Sequence, residues 1–325
     1  MALSRFAVLF DVDGVLLRNK KVLKSVENNC VKFIQKVSQG PLEYNVAYHR
    51  NYMYNFYHGH TLRGLYKQYG TQYDHRITDL FINEVYDKTV YSELNEHLES
   101  KEFKEESKPI MEICELCKEN DVPVFIFSNA PYDWCKRIAI SLEEGTTFFE
   151  HIYSCEHYSM YPHSLKPDEL VYKNVEFDIK MNNYNVNELV FIDDSLMNLQ
   201  PVNYNRLWKP VLLDPSNRTN GSIKSINNIL EFKKMIETKI SSLPIEEPVY
   251  NLYLVHKHEK NVATVKMILR SCIPHLCHLR LEAIIMEANK NGKAILMSCT
   301  QKEAITYKVL MLENGFDVEF EEKII

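Results

Sequence analysis

Glycine is scarce in this chain, with 9 residues among 325. That excludes collagen-like repeats and Gly-rich flexible tracts. Positive charge is also short: 38 Lys and Arg stand against 44 Asp and Glu, for a net charge of -6. Such a balance excludes a broad basic footprint for nucleic acid. Long apolar runs are missing. The run at 122–127 even includes Pro123, and a membrane span needs about 20 apolar residues. A secretory leader is not expected either, because the apolar stretch at 6–10 is cut off at once by Asp11. Internal repeats and low-complexity tracts are absent. These gaps lead to the expectation of a cytoplasmic protein with neither nucleic acid nor membrane as a partner.

What is present is ordinary for a folded chain: 45% hydrophobic and 25% charged residues, enough to bury a core. At roughly 150 residues per domain the length suggests two units. Eight cysteines are spread through the sequence, which fits free thiols in a reducing compartment better than a disulfide framework. The Asn-x-Ser/Thr triplets at Asn217 and Asn220 then carry little weight. Cys114 and Cys117 form a Cys-x-x-Cys on an apolar helical face, without a second pair at zinc spacing, so core packing is the expectation. Cys272, His275, Cys277 and His278 leave two readings open, a metal site or a tight helix–turn–helix junction.

Apolar runs at 3–10, 122–127, 152–154, 189–192 and 211–213 read as strands. Helical patterns separate them, including one opened by Pro109 at its first turn and another at 132–142. Strands alternating with helices predict an α/β fold with a parallel sheet. Asp11, Ser128 and Asp193 each fall at the C-terminal end of a predicted strand, the edge where open α/β sheets bind ligands. Residues 18–108 differ in texture, being rich in Tyr, His, Asn and charge, and read as several helices. The charged run at 96–106 reads as a solvated face. The aromatic and histidine residues at 48–60 either stack on a base or simply line these helices.

Asp11-Val12-Asp13-Gly14 places two carboxylates on one side of an extended segment. They repel each other, and Asp193-Asp194 adds to the repulsion. Asp pairs after strands also serve as turn formers or helix caps. A hard divalent cation would make the cluster sensible, since magnesium takes carboxylate and phosphate oxygens. A carboxylate can also attack phosphorus while a second one transfers protons. Ser128 could hold phosphoryl oxygens, and Lys166 could neutralise developing charge.

Four pieces in this order, Asp11-Val12-Asp13-Gly14, Phe127-Ser128-Asn129-Ala130, Lys166-Pro167 and Phe191-Ile192-Asp193-Asp194-Ser195, resemble the haloacid dehalogenase (HAD) superfamily over about residues 3–235. The resemblance implies a Rossmannoid parallel sheet with an inserted helical cap. It implies Asp11 as nucleophile, Asp13 as acid/base, Lys166 as charge stabiliser, and Ser128 and Asn129 in phosphate binding. It also implies Mg2+ on Asp11, the Asp13 carbonyl and Asp193, with Asp194 direct or through water. Phosphatases of the superfamily carry an acid at the Asp13 position, and its dehalogenases do not. Tyr54-Asn55-Phe56-Tyr57 and Leu62-Arg63-Gly64-Leu65 resemble the cap of pyrimidine 5′-nucleotidases. That likeness implies a nucleoside 5′-monophosphate as the phosphorylated substrate, with Arg63 facing it.

A Ser/Pro/Glu-rich stretch at 241–248 reads as a linker. Beyond it, the pattern at 249–325 predicts a small α+β unit of strands and three helices, with Gly292 and Gly315 as helix stops. Residues 283–294, with Thr300, Glu303-Ala304 and Lys308, resemble the ClpS adaptors of Clp proteases. That resemblance implies a protein- or peptide-docking module. The family's amine-binding acidic run and histidine are replaced here by His256-Lys257-His258 and Asn289. The expected organisation is therefore a hydrolase core at 1–17 and 109–240, a cap at 18–108 and a docking module at 249–325. A non-catalytic or weakly catalytic adaptor in protein degradation is the alternative.

Overall fold

The computed structural model describes residues 6–38, 40–70, 75–143, 147–156, 165–182, 186–216, 222–243, 249–255, 262–273 and 278–322. The chain divides into two compact units, Met1–Leu243 and Pro244–Ile325.

The first unit is built on a six-stranded parallel sheet. Its strands are β1 (Ala7–Phe10), β2 (Val124–Phe127), β3 (Phe149–Tyr153), β4 (Leu189–Asp193), β5 (Trp208–Leu213) and β6 (Lys224–Ile226). Their spatial order is β3-β2-β1-β4-β5-β6. The order reverses at β1, which pairs with β2 on one side and β4 on the other. That reversal is the switch point where such sheets open a ligand crevice.

Residue alternation explains why the strands are buried on both faces. Ala7, Leu9, Phe125, Phe127, Leu189, Phe191 and Leu212 join one apolar cluster, while Val8, Phe10, Val124, Ile126, Val190, Ile192, Val211 and Leu213 join another. On the first face lies α8 (Glu169–Met181), through Val171, Tyr172, Val175 and Ile179. On the second lie α6 (Lys101–Glu119), α7 (Tyr132–Glu143) and α10 (Ile229–Ser241). The insert between β1 and β2 is helical: α1 (Lys20–Val37), α2 (Tyr44–His58), α3 (Thr61–Tyr69), α4 (His75–Val85) and α5 (Lys88–Leu98) precede α6. Its apolar residues, among them Val31, Ile34, Leu65, Val85 and Leu94, are continuous with the second cluster. A four-residue helix, α9 (Leu196–Leu199), follows β4 directly.

The expectation that Pro109 opens a helix is corrected. Helix α6 starts at Lys101, with the Ser100 side chain accepting from the Phe103 N–H at 3.1 Å. Pro109 sits in its interior, where it lacks the N–H that would bond to the carbonyl four residues back. Burial of Phe103 and Ser107 before it, and of Ile110, Ile113, Cys114 and Cys117 after it, holds the helix together. The strand expected at 3–10 is described from Ala7 onward, and the one expected at 152–154 is Phe149–Tyr153. Edge strand β6 has only three residues and a charged first position, too short for an apolar run.

Cys30, Cys114, Cys117, Cys135, Cys272 and Cys299 are buried and Cys155 is partly buried, all as free thiols. Cys114 and Cys117 belong to the second apolar cluster. The metal reading for Cys272, His275, Cys277 and His278 rests on His275 and Cys277, which lie outside the described residues. No described helix is long and apolar enough to cross a membrane.

The second unit holds β7 (Val249–Val255), α11 (Val262–Cys272), α12 (His278–Asn291), β8 (Lys293–Thr300), α13 (Gln301–Glu313) and β9 (Val318–Glu322). Its sheet is antiparallel, in the order β8-β7-β9. Leu252, Leu254, Leu269, Leu281, Ile285, Leu296 and Met311 form its own core. Gly292 and Gly315 take positive φ at 80° and 74°, as helix stops require. Asn289 is exposed on α12, and the His256-Lys257-His258 run lies outside the described residues.

Candidate active site

The C-terminal ends of β1, β2 and β4 bring Asp11, Ser128 and Asp193 to one edge of the sheet. The loop before α8 delivers Lys166 among them. This lysine is fully buried, a costly place for a charge unless it is paired. Its three ammonium hydrogens meet three oxygens: Asp193 Oδ2 at 2.7 Å, the Phe127 carbonyl at 2.9 Å and Asp11 Oδ1 at 3.0 Å. The ammonium also lies 5.1 Å from the Phe127 ring centroid and 5.0 Å from that of Phe191, within cation–π range. Burial alone would lower the Lys166 pKa, but Asp11 and Asp193 outweigh it and the value is raised.

Asp193 is held on every side. The Ser195 N–H donates to Oδ1 at 2.8 Å, and Asn198 Nδ2 lies 3.2 Å from Oδ1 and 3.1 Å from Oδ2. With Lys166, each carboxylate oxygen accepts twice. Asp11 Oδ1 accepts from the Val12 N–H at 2.7 Å as well as facing Lys166. Asp194, the exposed member, packs over Gly14, where an added Cβ would fall 2.0 Å from Asp194 Oδ2. Gly14 also has φ +85°, so glycine is needed there for both conformation and space.

Asp13 accepts at Oδ1 from Trp134 Nε1–H, 3.0 Å away. Burial raises its pKa to about 6, against the lowering effects of Trp134 and Lys166. Asp194 is open to solvent as a residue, but its carboxyl faces the other acids, and desolvation there, then Asp193 and Asp13, pushes it to about 7. Asp11 is raised by burial and by the negative charge of Asp193. Carboxyls clustered in this way resist ionisation, because each disfavours charge on its neighbours. Carboxylate oxygens of Asp11, Asp193 and Asp194 lie within 4.8 Å of one another. An all-oxygen set of this kind fits a hard divalent cation.

The substrate-binding candidates differ in placement. Ser128 stands at the end of β2, its Oγ accepting from the Ala130 N–H at 3.2 Å. The Asn129 carboxamide is paired with the Lys166 main chain, donating to its carbonyl at 3.0 Å and accepting from its N–H at 2.8 Å. It therefore clasps the lysine loop. Arg63, on α3, donates to the Leu165 carbonyl at 3.2 Å and lies 3.7 Å from Asp168 Oδ2. Its Nε is buried and has no hydrogen-bond partner among the described residues. The guanidinium thus reaches the loop that carries Lys166. His60, at the N-cap of α3, accepts from the Leu62 N–H at 3.2 Å. Burial, aided by the Lys166 charge, lowers its pKa to about 4, so it is neutral.

Sequence reasoning misses Trp134 and Asn198. The signal for Asn198 is its place in the short helix just after Asp193-Asp194. Trp134 is one of only two tryptophans and stands five residues after Asn129.

Against known proteins, a family model for haloacid dehalogenase-like hydrolases matches residues 8–201, more than half of the chain. No curated protein matches significantly. Among solved structures, the chain is similar to a HAD phosphatase from Thermococcus onnurineus, with 14% identity, 71% of this chain and 97% of that chain covered, and a TM-score of 0.40. It is also similar to a predicted phosphoglycolate phosphatase from Haemophilus somnus, at 13% identity, 72% and 99% coverage and a TM-score of 0.41. A further likeness, to Agrobacterium tumefaciens ClpS2 bound to L-phenylalaninamide, covers 24% of this chain and 100% of that one, at 17% identity and a TM-score of 0.22.

Proposed function

The chain belongs to the haloacid dehalogenase-like hydrolases, and from that premise we propose that it is a magnesium-dependent phosphohydrolase acting through an aspartyl-phosphate. The observation that carries this reading is Asp13, a half-buried carboxyl two residues beyond Asp11, held by an indole N–H and shifted to about 6. A group poised near neutrality can protonate a leaving oxygen and later accept a proton. Dehalogenation has no use for such an acid.

Asp11 attacks phosphorus and its new O–P bond replaces the ester O–P bond. Asp13 gives its proton to the departing alcohol oxygen. It then takes a proton from the water that attacks the aspartyl-phosphate, which releases inorganic phosphate and regenerates Asp11. Lys166 stays fixed against Asp11 and balances charge at the reacting edge. Ser128 and the Asn129 main-chain N–H would bind phosphoryl oxygens. A bound Mg2+ would supply charge neutralisation for the phosphate and for the clustered carboxylates. Asp11, the Asp13 carbonyl and Asp194 would hold it, with Asp193 backing the set, because both Asp193 oxygens already accept from Lys166, Asn198 and Ser195.

The cap residues Tyr54–Tyr57 and Leu62–Leu65 support a nucleoside 5′-monophosphate as substrate, with a pyrimidine base the first to test. The C-terminal unit, by its ClpS-like residues at 283–294, is read as a module that docks protein or peptide.

Purified chain is expected to release phosphate from nucleoside 5′-monophosphates or a generic aryl phosphate only with magnesium. Asp11→Asn is expected to abolish release in a malachite-green assay. Unchanged turnover in Asp11→Asn overturns the nucleophile assignment.

A further inference from the structure

Asp13 has one side-chain hydrogen bond among the described residues, and it comes from Trp134. Trp134 lies in the first turn of α7, just past the end of β2, and is fully buried. Tyrosines of the insert grip its ring edge-on. Tyr86 stands 5.1 Å away at 69° and Tyr91 5.8 Å away at 65°. Its neighbours therefore fix the plane of the indole, and with it the direction of Nε1–H. Indole nitrogen donates and cannot accept, so it can hold a carboxylate oxygen but cannot take part in proton exchange.

This asymmetry divides the work of the Asp13 carboxyl between its two oxygens. We propose that Trp134 is a positioning residue that immobilises Asp13 Oδ1 and so leaves Oδ2 as the atom that delivers and recovers the proton. The inference rests on the phosphohydrolase reading. In the first step the Oδ2–H bond breaks as the alcohol oxygen leaves phosphorus and takes that proton. In the second, Oδ2 takes a proton from water as the water oxygen bonds to phosphorus. The indole N–H stays on nitrogen throughout. A carboxyl free to rotate about its Cβ–Cγ bond would reach the leaving oxygen less often, and positioned acid catalysis contributes about 10²–10⁴-fold.

The test replaces the Trp134 side chain site-specifically with its benzothiophene isostere, which keeps the shape and loses the N–H, alongside Trp134→Phe. Two substrates are compared through kcat/KM, which reports the steps up to loss of the alcohol. One is an alkyl phosphate, whose alkoxide needs a proton to leave. The other is p-nitrophenyl phosphate, whose phenolate does not. With magnesium present, the isostere is expected to lower kcat/KM on the alkyl ester by about 10–100-fold, a part of the range for a positioned acid. On the aryl ester it is expected to change it by less than about threefold, in keeping with the weak need for protonation there. Thermal midpoints of the isostere and the parent are expected to coincide. Equal losses on both esters, or no loss on either, overturn the positioning role while leaving the phosphohydrolase reading intact. A parent chain that hydrolyses neither ester overturns both.

Discussion

Asp193 shows how one carboxylate can be structural in a site made for chemistry. It neutralises a lysine that has no access to water, and Asn198 and the Ser195 N–H complete its coordination. Asp193→Asn keeps the shape and removes the charge, leaving Lys166 with Asp11 alone. A loss on the order of 3 kcal/mol in unfolding free energy is expected in urea titrations, as when one partner of a buried pair is removed. A variant as stable as the parent would show that Lys166 does not depend on Asp193. The neighbouring carboxyls set a pH dependence. Asp13, at about 6, and Asp194, at about 7, both bind protons more tightly when folded than at their ordinary 3.8. Their ionisation therefore opposes folding, and stability falls as pH rises from the unfolded value through the folded ones. The metal-free chain is expected to lose thermal stability between about pH 4 and pH 7, and Asp13→Asn to lose less. A midpoint that rises over that interval contradicts the assignment.

Among the elements, α3 and the loop before α8 are tied by Arg63, which meets the Leu165 carbonyl and Asp168. The sequence likeness turns Arg63 toward a nucleotide, whereas the geometry turns it toward the loop that carries Lys166. Arg63→Met separates these roles. A loop latch predicts a fall in kcat of about tenfold with KM nearly unchanged, whereas a substrate contact predicts a rise in KM. Steady-state kinetics on one nucleotide decides between them. The central strands were legible because apolar runs ended abruptly at Asp11, Ser128 and Asp193, and those polar stops also marked the site. Edge strand β6 was not, because three residues have no period. The start of helix α6 is hidden in the sequence, because Pro109 carries a strong local signal that packing on both sides overrides. The roles of Asn129 and Arg63 were illegible for a further reason. A carboxamide clasping a main chain and one reaching a ligand look alike in a motif.

At the scale of the whole molecule, two units each have a closed core. Residues 1–240 alone are therefore expected to retain phosphate release at the full chain's rate, while protein partners captured by the full chain are lost. Identical partner lists from pull-downs of the two forms overturn the docking role of the C-terminal unit. The larger unit also keeps its two tryptophans, the chain's only ones, on opposite faces of its sheet. Trp208 donates to Glu176 at 2.6 Å, and Trp134 donates to Asp13. Indole emission responds to charge at its nitrogen. The protein thus carries a built-in optical gauge of its own reaction centre. Trp208→Phe leaves a single tryptophan, whose emission follows the ionisation of the carboxyl that it touches.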